Sequence, residues 1–241
     1  MRTILLLARK ELASFFDSLM AYLILVVFLG VSGFFTWWFG TDVFIRGLAD
    51  LSTFFNVSYW TLFFFIPAIT MRTLADERKT GTLDLLLTKA INDRQVVAGK
   101  FVACLVLIAL ALLCTVPYWI TISFIGDVDH GAVACGYLAL LCMSAAYIAI
   151  GIYASSLTNN QIVAFLLGLA ITASFHLAFS VMSSSFTGVV GETLRQLSTG
   201  AHFDSMSRGI VDSRDLLWFG SLIALGLSLA EMNLAKRLVN E

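Results

Sequence analysis

The stretch FVACLVLIALALLCTVPYWITISFI, Phe101–Ile125, contains no charged residue over its whole length. A helix needs roughly 20 apolar residues to cross the hydrocarbon core of a bilayer, so this stretch predicts a long membrane span at about 97–125. Pro117 within it predicts a bend. The same criterion predicts five more spans, at about 18–39, 52–72, 131–154, 160–186 and 215–235. We therefore expect an all-α, polytopic membrane protein whose six transmembrane helices form a single domain over residues 1–241.

The composition supports a membrane protein. The chain is 59% hydrophobic and 13% charged, whereas a soluble domain is about a quarter charged, so membrane lipid is expected to cover much of its surface. The net charge of -1 argues against nucleic acid as a partner. Cysteines occur only in apolar runs and never as C-x-x-C, which favours buried apolar side chains over a disulfide or metal site: Cys104, Cys114, Cys135 and Cys142.

The positions of lysine and arginine predict the orientation. If the N-terminus is inside, 11 of these residues fall in cytoplasmic segments, namely Arg2, Arg9, Lys10, Arg72, Arg78, Lys79, Lys89, Arg94, Lys100, Lys236 and Arg237. Only 4 fall in outer loops, namely Arg46, Arg195, Arg208 and Arg214. By the positive-inside rule, both termini are predicted to face the cytoplasm.

Residues 1–17 have the pattern of an amphipathic helix. Apolar residues recur at helical spacing while basic residues occupy other positions: Ile4, Leu5, Ala8, Leu12, Phe15 and Phe16 against Arg2, Arg9 and Lys10. One interpretation is an interfacial helix that lies on the inner leaflet and leads into the first span. The other is a simple basic anchor of the positive-inside kind.

The predicted cytoplasmic loop 73–96 contains DERKTGTLDLLLTK, Asp76–Lys89. Gly81 permits a sharp change of chain direction, and Thr82 is suited to cap a new short helix. In that helix one face is apolar and another is polar, with Leu83, Leu86 and Leu87 on the first and Asp84 and Thr88 on the second. Two interpretations stay open: a leucine face that docks on a partner, or charges that merely collect in a cytoplasmic loop.

The longer segment MRTLADERKTGTLDLLLTKAINDRQVVAGK, Met71–Lys100, resembles the signature loop of type-2 ATP-binding-cassette (ABC) permeases, of the form E-R/K-x-x-G-T-L-E/D-x-L-L. The matching positions are Glu77, Arg78, Gly81, Thr82, Leu83, Asp84, Leu86 and Leu87. The resemblance implies that they belong to a coupling helix that inserts into a cleft of an ATPase subunit. RKELASFF, Arg9–Phe16, similarly resembles the N-terminal connecting helix of that family.

The resemblance, strongest to the permeases associated with bacterial gliding motility, implies a membrane subunit of an exporter in the bacterial inner membrane. It implies an ATPase dimer that binds ATP and Mg, with no cofactor in this chain. A second permease copy, identical or different, is also implied. In the gliding-type system a periplasmic auxiliary protein is a further expected partner, and ATP hydrolysis would drive transport or mechanical work on such a partner.

The longest predicted outer loop is 187–214. It contains Asp204, Arg208 and Asp212 at intervals of four, a spacing that supports a short helix by about 0.2–0.5 kcal/mol per ion pair. HFDSMSRGIVDSRD, His202–Asp215, is similar to a recurring string of the gliding-type subgroup, and the resemblance implies short outer helices before the last span. His202 has no other metal-ligand residue at a suitable spacing, so a metal site is not expected there.

Small and polar residues line one face of the fifth span at intervals of four, namely Gly168, Thr172, His176, Ser180 and Ser184. A polar stripe in lipid must face protein or a water-filled path. Two interpretations stay open: a small-residue helix contact with one satisfied histidine, or the route of an exported substrate. Gly220, Ala224 and Ser228 form a similar ridge on the sixth span and are a candidate helix interface.

The sequence has no catalytic motif of its own. It contains no G-x-x-x-x-G-K-S/T phosphate loop, no G-x-S-x-G and no H-E-x-x-H. It also has no pair of intramembrane carboxylates for proton relay. We therefore predict a non-enzymatic subunit that receives energy from another chain. The alternatives are a secondary transporter or channel, and an intramembrane enzyme that uses His176.

Overall fold

A computed structural model describes residues 2–39, 49–81 and 92–237. Every regular element in these ranges is a helix. The helices are α1 (Arg2–Asp17), α2 (Leu19–Trp37), α3 (Ser52–Thr70), α4 (Ala75–Thr80), α5 (Asp93–Leu113), α6 (Val116–Ile125), α7 (His130–Ser156), α8 (Gln161–Ala173), α9 (Phe179–Ser185), α10 (Val189–Leu197), α11 (Thr199–Ser207) and α12 (Ser213–Arg237). A π-helical turn, Ser174–Ala178, joins α8 to α9.

Six segments of the described ranges are long and apolar enough to cross a membrane: Leu19–Trp37, Ser52–Thr80, Asp93–Ile125, His130–Ser156, Gln161–Ser185 and Ser213–Lys236. They coincide with the six spans predicted from sequence, so the predicted all-α polytopic fold is confirmed. Two short helices, α10 and α11, lie within 187–214 before the last span, as expected; their outer position stays a prediction. The helix predicted for residues 1–17 is α1.

The third span is built from two helices in series. α5 ends at Leu113, and α6 begins at Val116 with Pro117 in its first turn. Proline is tolerated there because the first N–H groups of a helix have no intrahelical partner. At the break, the Leu112 carbonyl accepts from both the Thr115 hydroxyl, at 2.6 Å, and the Thr115 N–H, at 3.0 Å. The predicted bend therefore falls at the junction of α5 and α6.

α7 lies at the centre of the bundle, where it contacts α3, α5, α8, α11 and α12. Every residue from Met143 to Ile152 is buried, around the whole circumference of the helix. Such all-round burial is typical of a core helix. Small residues allow α12 to lie close to α7: a Cβ added to Gly226 of α12 would lie 2.8 Å from the backbone carbonyl carbon of Ala149 on α7.

The sixth span contacts α7 through a different face from the one predicted. Gly220, Ala224 and Ser228 are all exposed within the chain. The buried face of α12 instead carries a mixture of large and small residues, namely Phe219, Leu222, Gly226, Ala230 and Leu234. The ridge of Gly220, Ala224 and Ser228 therefore does not form an interface within this chain.

Six crossings place α1 and the end of α12 on the same side of the bundle, which we call the termini side. An ion pair of 3.1 Å between Arg94 Nε and Glu231 Oε2 joins the start of α5 to α12 on that side. The opposite side, which we call the far side, carries α10, α11 and the start of α7.

Candidate functional site

A short helix on the termini side leads into the predicted coupling segment. α4 follows α3 after a tight turn, and the hydroxyl of Ser155 on α7 holds this turn in place. The Ser155 hydroxyl accepts from the N–H groups of Leu74 and Ala75 at 3.1 and 3.0 Å and donates to the Met71 carbonyl at 3.1 Å. Gly81 ends α4 with φ +69°, a left-handed conformation that favours glycine. The start of the loop is thus fixed to the bundle core.

A buried ion group joins α4 to two other helices. Lys100 Nζ lies 2.8 Å from Glu77 Oε1 of α4 and 3.2 Å from Glu11 Oε1 of α1. The Lys100 side chain is 3% exposed and both glutamates are 16% exposed. We call these three residues the Lys100 ion group. An ammonium this deeply buried needs such partners, because removing a charge from water costs several kcal/mol.

α1 reaches the Lys100 ion group because α5 has a glycine at the point of contact. A Cβ added to Gly99 would lie 2.8 Å from Leu7 Cβ of α1. Ala8 and Phe15 of α1 are buried, so this helix is held by apolar packing as well as by the ion group. Part of the apolar pattern of residues 1–17 therefore contacts α5, whereas Leu5 is 62% exposed, and the position of α1 on the inner leaflet stays a prediction.

Both acidic residues of α4, Asp76 and Glu77, connect this helix to the rest of the bundle. Glu77 contacts Lys100 on α5, and Asp76 accepts a hydrogen bond from Gln161 Nε2 at the start of α8. A cavity of about 250 Å³ lies beside them and is lined by Lys10, Glu11, Ser14, Phe15, Ser18, Met20, Arg72, Thr73, Asp76, Glu77 and Lys100. α4 is therefore connected to the first helix and to the second, third, fourth and fifth spans.

The predicted coupling residues divide into two sets. Glu77 and Arg78 lie on α4, and Gly81 ends it. Thr82, Leu83, Asp84, Leu86 and Leu87 lie outside the described residues, so the leucine face stays a prediction. Sequence reasoning missed Glu11 and Lys100. The feature of the sequence that could have indicated this site is Lys100 itself, a single cation at the start of a long apolar run.

His176 occupies a buried aromatic cage within the membrane. Its ring stacks between Tyr59, at 4.0 Å, and Phe63, at 4.4 Å, while Trp60 meets it edge-on at 4.9 Å. Nδ1 lies 2.8 Å from the Tyr147 hydroxyl, and Nε2 has no hydrogen-bond partner among the described residues. The π turn that contains His176 widens the helix at this position, as π turns often do at functional sites.

The stripe on the fifth span splits at the π turn. Gly168, Thr172 and His176 are buried, and a Cβ on Gly168 would lie 3.6 Å from the Cβ atoms of Ala154 and Pro67. Ser180 and Ser184 are exposed, and Ser180 lines a cavity on the far side. The first three residues thus pack against neighbouring helices, whereas a substrate route that includes Ser180 stays a prediction.

Replacing Tyr147 with Phe should lower thermal stability without changing the helix content. The variant leaves a buried imidazole without its hydrogen bond, which costs about 1–3 kcal/mol. Adding His176→Phe should recover part of that loss, because both polar partners are then absent. Thermal unfolding of the detergent-solubilised chain measures both effects, with Tyr153→Phe on the same helix as the control. Equal effects of Tyr147→Phe and Tyr153→Phe would contradict a role for the Tyr147–His176 hydrogen bond.

On the far side, His202 joins α10, α11 and α12. Its Nδ1 lies 2.6 Å from Asp215 Oδ1, its Nε2 lies 2.8 Å from the Gln196 carbonyl, and its ring stacks on Trp218 at 4.5 Å. Within the described ranges, no group of three or more His, Cys, Asp or Glu residues could hold a metal ion. His202 therefore links α10, α11 and α12 through its hydrogen bonds and ring contact.

The expected ion pairs of Arg208 are absent. α11 ends at Ser207, and Gly209 then adopts φ +87°, so Asp212 does not follow Arg208 on a helix. Neither Asp204 nor Asp212 lies within 4.0 Å of Arg208 as an ion pair in the described structure. The helix is stabilised instead at its start, where the Ser198 side chain accepts from the Gly200 N–H at 3.3 Å. The Arg208–Asp212 pair does not form because a left-handed glycine follows the end of the helix, whereas Asp204 and Arg208 interact through their charges without a direct ion pair.

Comparison with known protein families gives a match over most of the chain. The family model described as "ABC-2 family transporter protein" matches residues 5–193, from α1 into α10. A search of curated proteins gives no significant match.

Proposed function

The chain belongs to the ABC-2 transporter family and is a membrane permease subunit of an ABC transporter; we propose that it couples ATP hydrolysis by a separate ATPase subunit to export. An ATPase dimer binds ATP and Mg in this proposal, and this chain contributes no catalytic residue. Two permease chains, identical or different, pair in the membrane. The resemblance of the Glu77–Leu87 segment to the family's signature loop supports the proposal at the residue level.

The connection of α4 to the rest of the bundle is the observation that carries the coupling mechanism. α4 leads directly into the coupling segment and contacts Lys100 of α5 and Gln161 of α8. Lys100 in turn contacts Glu11 of α1. A displacement of the loop therefore reaches three other helices through short polar contacts. Packed helices transmit such a displacement because protein interiors are dense and resist compression.

The distribution of lysine and arginine residues supports an orientation of the chain in the membrane. We propose that the termini side, with α1, α4 and the start of α5, faces the cytoplasm of a bacterium, because 11 of the 15 lysine and arginine residues fall in segments predicted for that side. The far side, with α10 and α11, then faces the periplasm. The similarity of His202–Asp215 to a gliding-type string supports a periplasmic partner on that side and work done on it.

Purification with its partner tests the proposed function. An affinity-tagged copy of this chain, extracted from its own membrane in a mild detergent, should retain a subunit that contains a G-x-x-x-x-G-K-S/T motif and hydrolyses ATP. Mass spectrometry and an ATPase assay measure the two properties. Ion-dependent flux in liposomes that contain this chain alone, with no such subunit retained, would instead identify a secondary transporter or channel.

A further inference from the structure

A cavity of about 420 Å³ on the far side lies between α9, α10 and α11. It is lined by Ser180, Ser183, Arg195, Ser198, Gly200, Ala201, Asp204, Ser205, Arg208 and Ile210. Nothing in the proposed coupling mechanism uses these residues. The set is rich in hydrogen-bond donors and comes from three separate helices and the turn that follows them.

Two arginines line this cavity, beside the single carboxylate of Asp204. Arg195 comes from α10 and Arg208 from the end of α11. Neither guanidinium makes an ion pair within 4.0 Å or a side-chain hydrogen bond with a described residue. Like charges that share a cavity repel each other, so an anion between them would be stabilised by both. A guanidinium offers five N–H donors in a planar fork that matches phosphate oxygens.

Serine hydroxyls add donors to the same cavity. Ser198 is 2% exposed, and its oxygen already accepts from the Gly200 N–H, so its proton is free to donate outward. Ser180 and Ser205 donate no hydrogen bond to a described residue. Asp204 is the only acid in the lining. Partial burial raises the pKa of Asp204, and nearby Arg208 opposes that rise.

The position of the cavity indicates a ligand from the membrane. Ser180 and Ser183 belong to the membrane-crossing segment Gln161–Ser185. Next to the cavity, α10 begins with Val189 and Val190, which are 81% and 55% exposed, as expected for side chains that contact lipid. The cavity mouth therefore lies where head groups meet the hydrocarbon, and its volume exceeds that of a bare phosphate.

We propose that this cavity binds the phosphate of a lipid head group between Arg195 and Arg208. Its position in the outer leaflet rests on the proposed orientation, but binding itself requires neither the ATPase subunit nor ATP. A failure of binding would therefore leave the proposed function intact, and the loss of that function would leave binding measurable.

Native mass spectrometry of the chain in a neutral detergent tests the site, with phosphatidylglycerol as the probe. Arg195→Gln and Arg208→Gln should each weaken retention roughly tenfold, because each loses a charge-assisted hydrogen bond. Asp204→Asn should strengthen retention, because it removes a repelling carboxylate, and misfolding cannot produce that gain. Arg214→Gln is the matched control, since Arg214 lines only a neighbouring cavity.

Two further probes distinguish a lipid head group from free phosphate as the ligand of this cavity. A galactosyl diacylglycerol, which has the lipid tails without phosphate, should be retained poorly, and inorganic phosphate should displace phosphatidylglycerol only at much higher concentration. Equal retention of the galactolipid, or an equal loss in Arg214→Gln, would overturn the site. Displacement by inorganic phosphate at the concentration of the lipid would overturn the lipid as its source.

Discussion

Leu86→Asp should abolish retention of the ATPase subunit while leaving the chain folded in the membrane. Leu86 lies on the predicted apolar face of the coupling segment, together with Leu83 and Leu87. If that face fills an apolar cleft, the variant buries an unpaired carboxylate. The cost is several kcal/mol, which corresponds to a loss of affinity of roughly 100-fold or more. Co-purification of the ATPase subunit and ATP hydrolysis by the complex measure the effect.

Thr88→Asp is the matched control for Leu86→Asp. Thr88 lies on the other face of the same predicted helix, so the same added charge stays in water and should leave retention nearly unchanged. Leu83→Asp should behave like Leu86→Asp. Full recovery of the ATPase subunit with both leucine variants would show that the leucine face contacts something else or nothing.

Lys100→Met should lower the free energy of unfolding by about 3 kcal/mol, or roughly 6–12 °C in Tm. The variant removes the cation that Glu11 and Glu77 share, so both largely buried carboxylates lose their ion pair with Lys100. It should also weaken the connection of α4 to α1 and α5. Thermal unfolding in detergent measures the first effect, and ATP hydrolysis per retained ATPase subunit measures the second.

Two variants distinguish the stability contribution of the Lys100 ion group from that of an exposed ion pair. Arg94→Gln breaks an exposed ion pair on the termini side; Arg94 is 84% exposed, and such pairs contribute at most about 1 kcal/mol. Adding Glu11→Gln and Glu77→Gln to Lys100→Met should restore much of the stability, because a neutral group has no charge to compensate. Stability losses of the same size in Arg94→Gln and Lys100→Met would contradict a special role for the buried lysine.

Local features of the sequence predicted most of the fold. Long apolar runs were sufficient to locate all six spans, because the length of a crossing helix is fixed by the bilayer. Pro117 predicted the junction of α5 and α6 for a similarly local reason. Gly81 was expected to allow a change of direction and has the positive φ that such a change requires.

Contacts between distant residues could not be predicted in the same way. Glu11 and Lys100 are 89 positions apart in the chain, and nothing local indicates that α1 packs against α5. Tyr147 is likewise far in sequence from His176. The ridge of Gly220, Ala224 and Ser228 does not pack within this chain, because the spacing of small residues does not indicate which neighbour a helix face contacts. Arg208 and Asp212 are four positions apart, but this spacing does not bring their side chains together, because the helix ends before Gly209.

The π turn at Ser174–Ala178 bears on how this membrane segment tolerates changes in length. A π turn holds one residue more than the α-helical turn it replaces, so every later position is rotated by about 100° relative to an unbroken α-helix. Deleting one residue here would restore an unbroken α-helix and keep both the contacts of Gly168 and Thr172 and the orientation of α9 about its axis. The same deletion inside α7, which is buried on all sides, would shift a whole core face out of register.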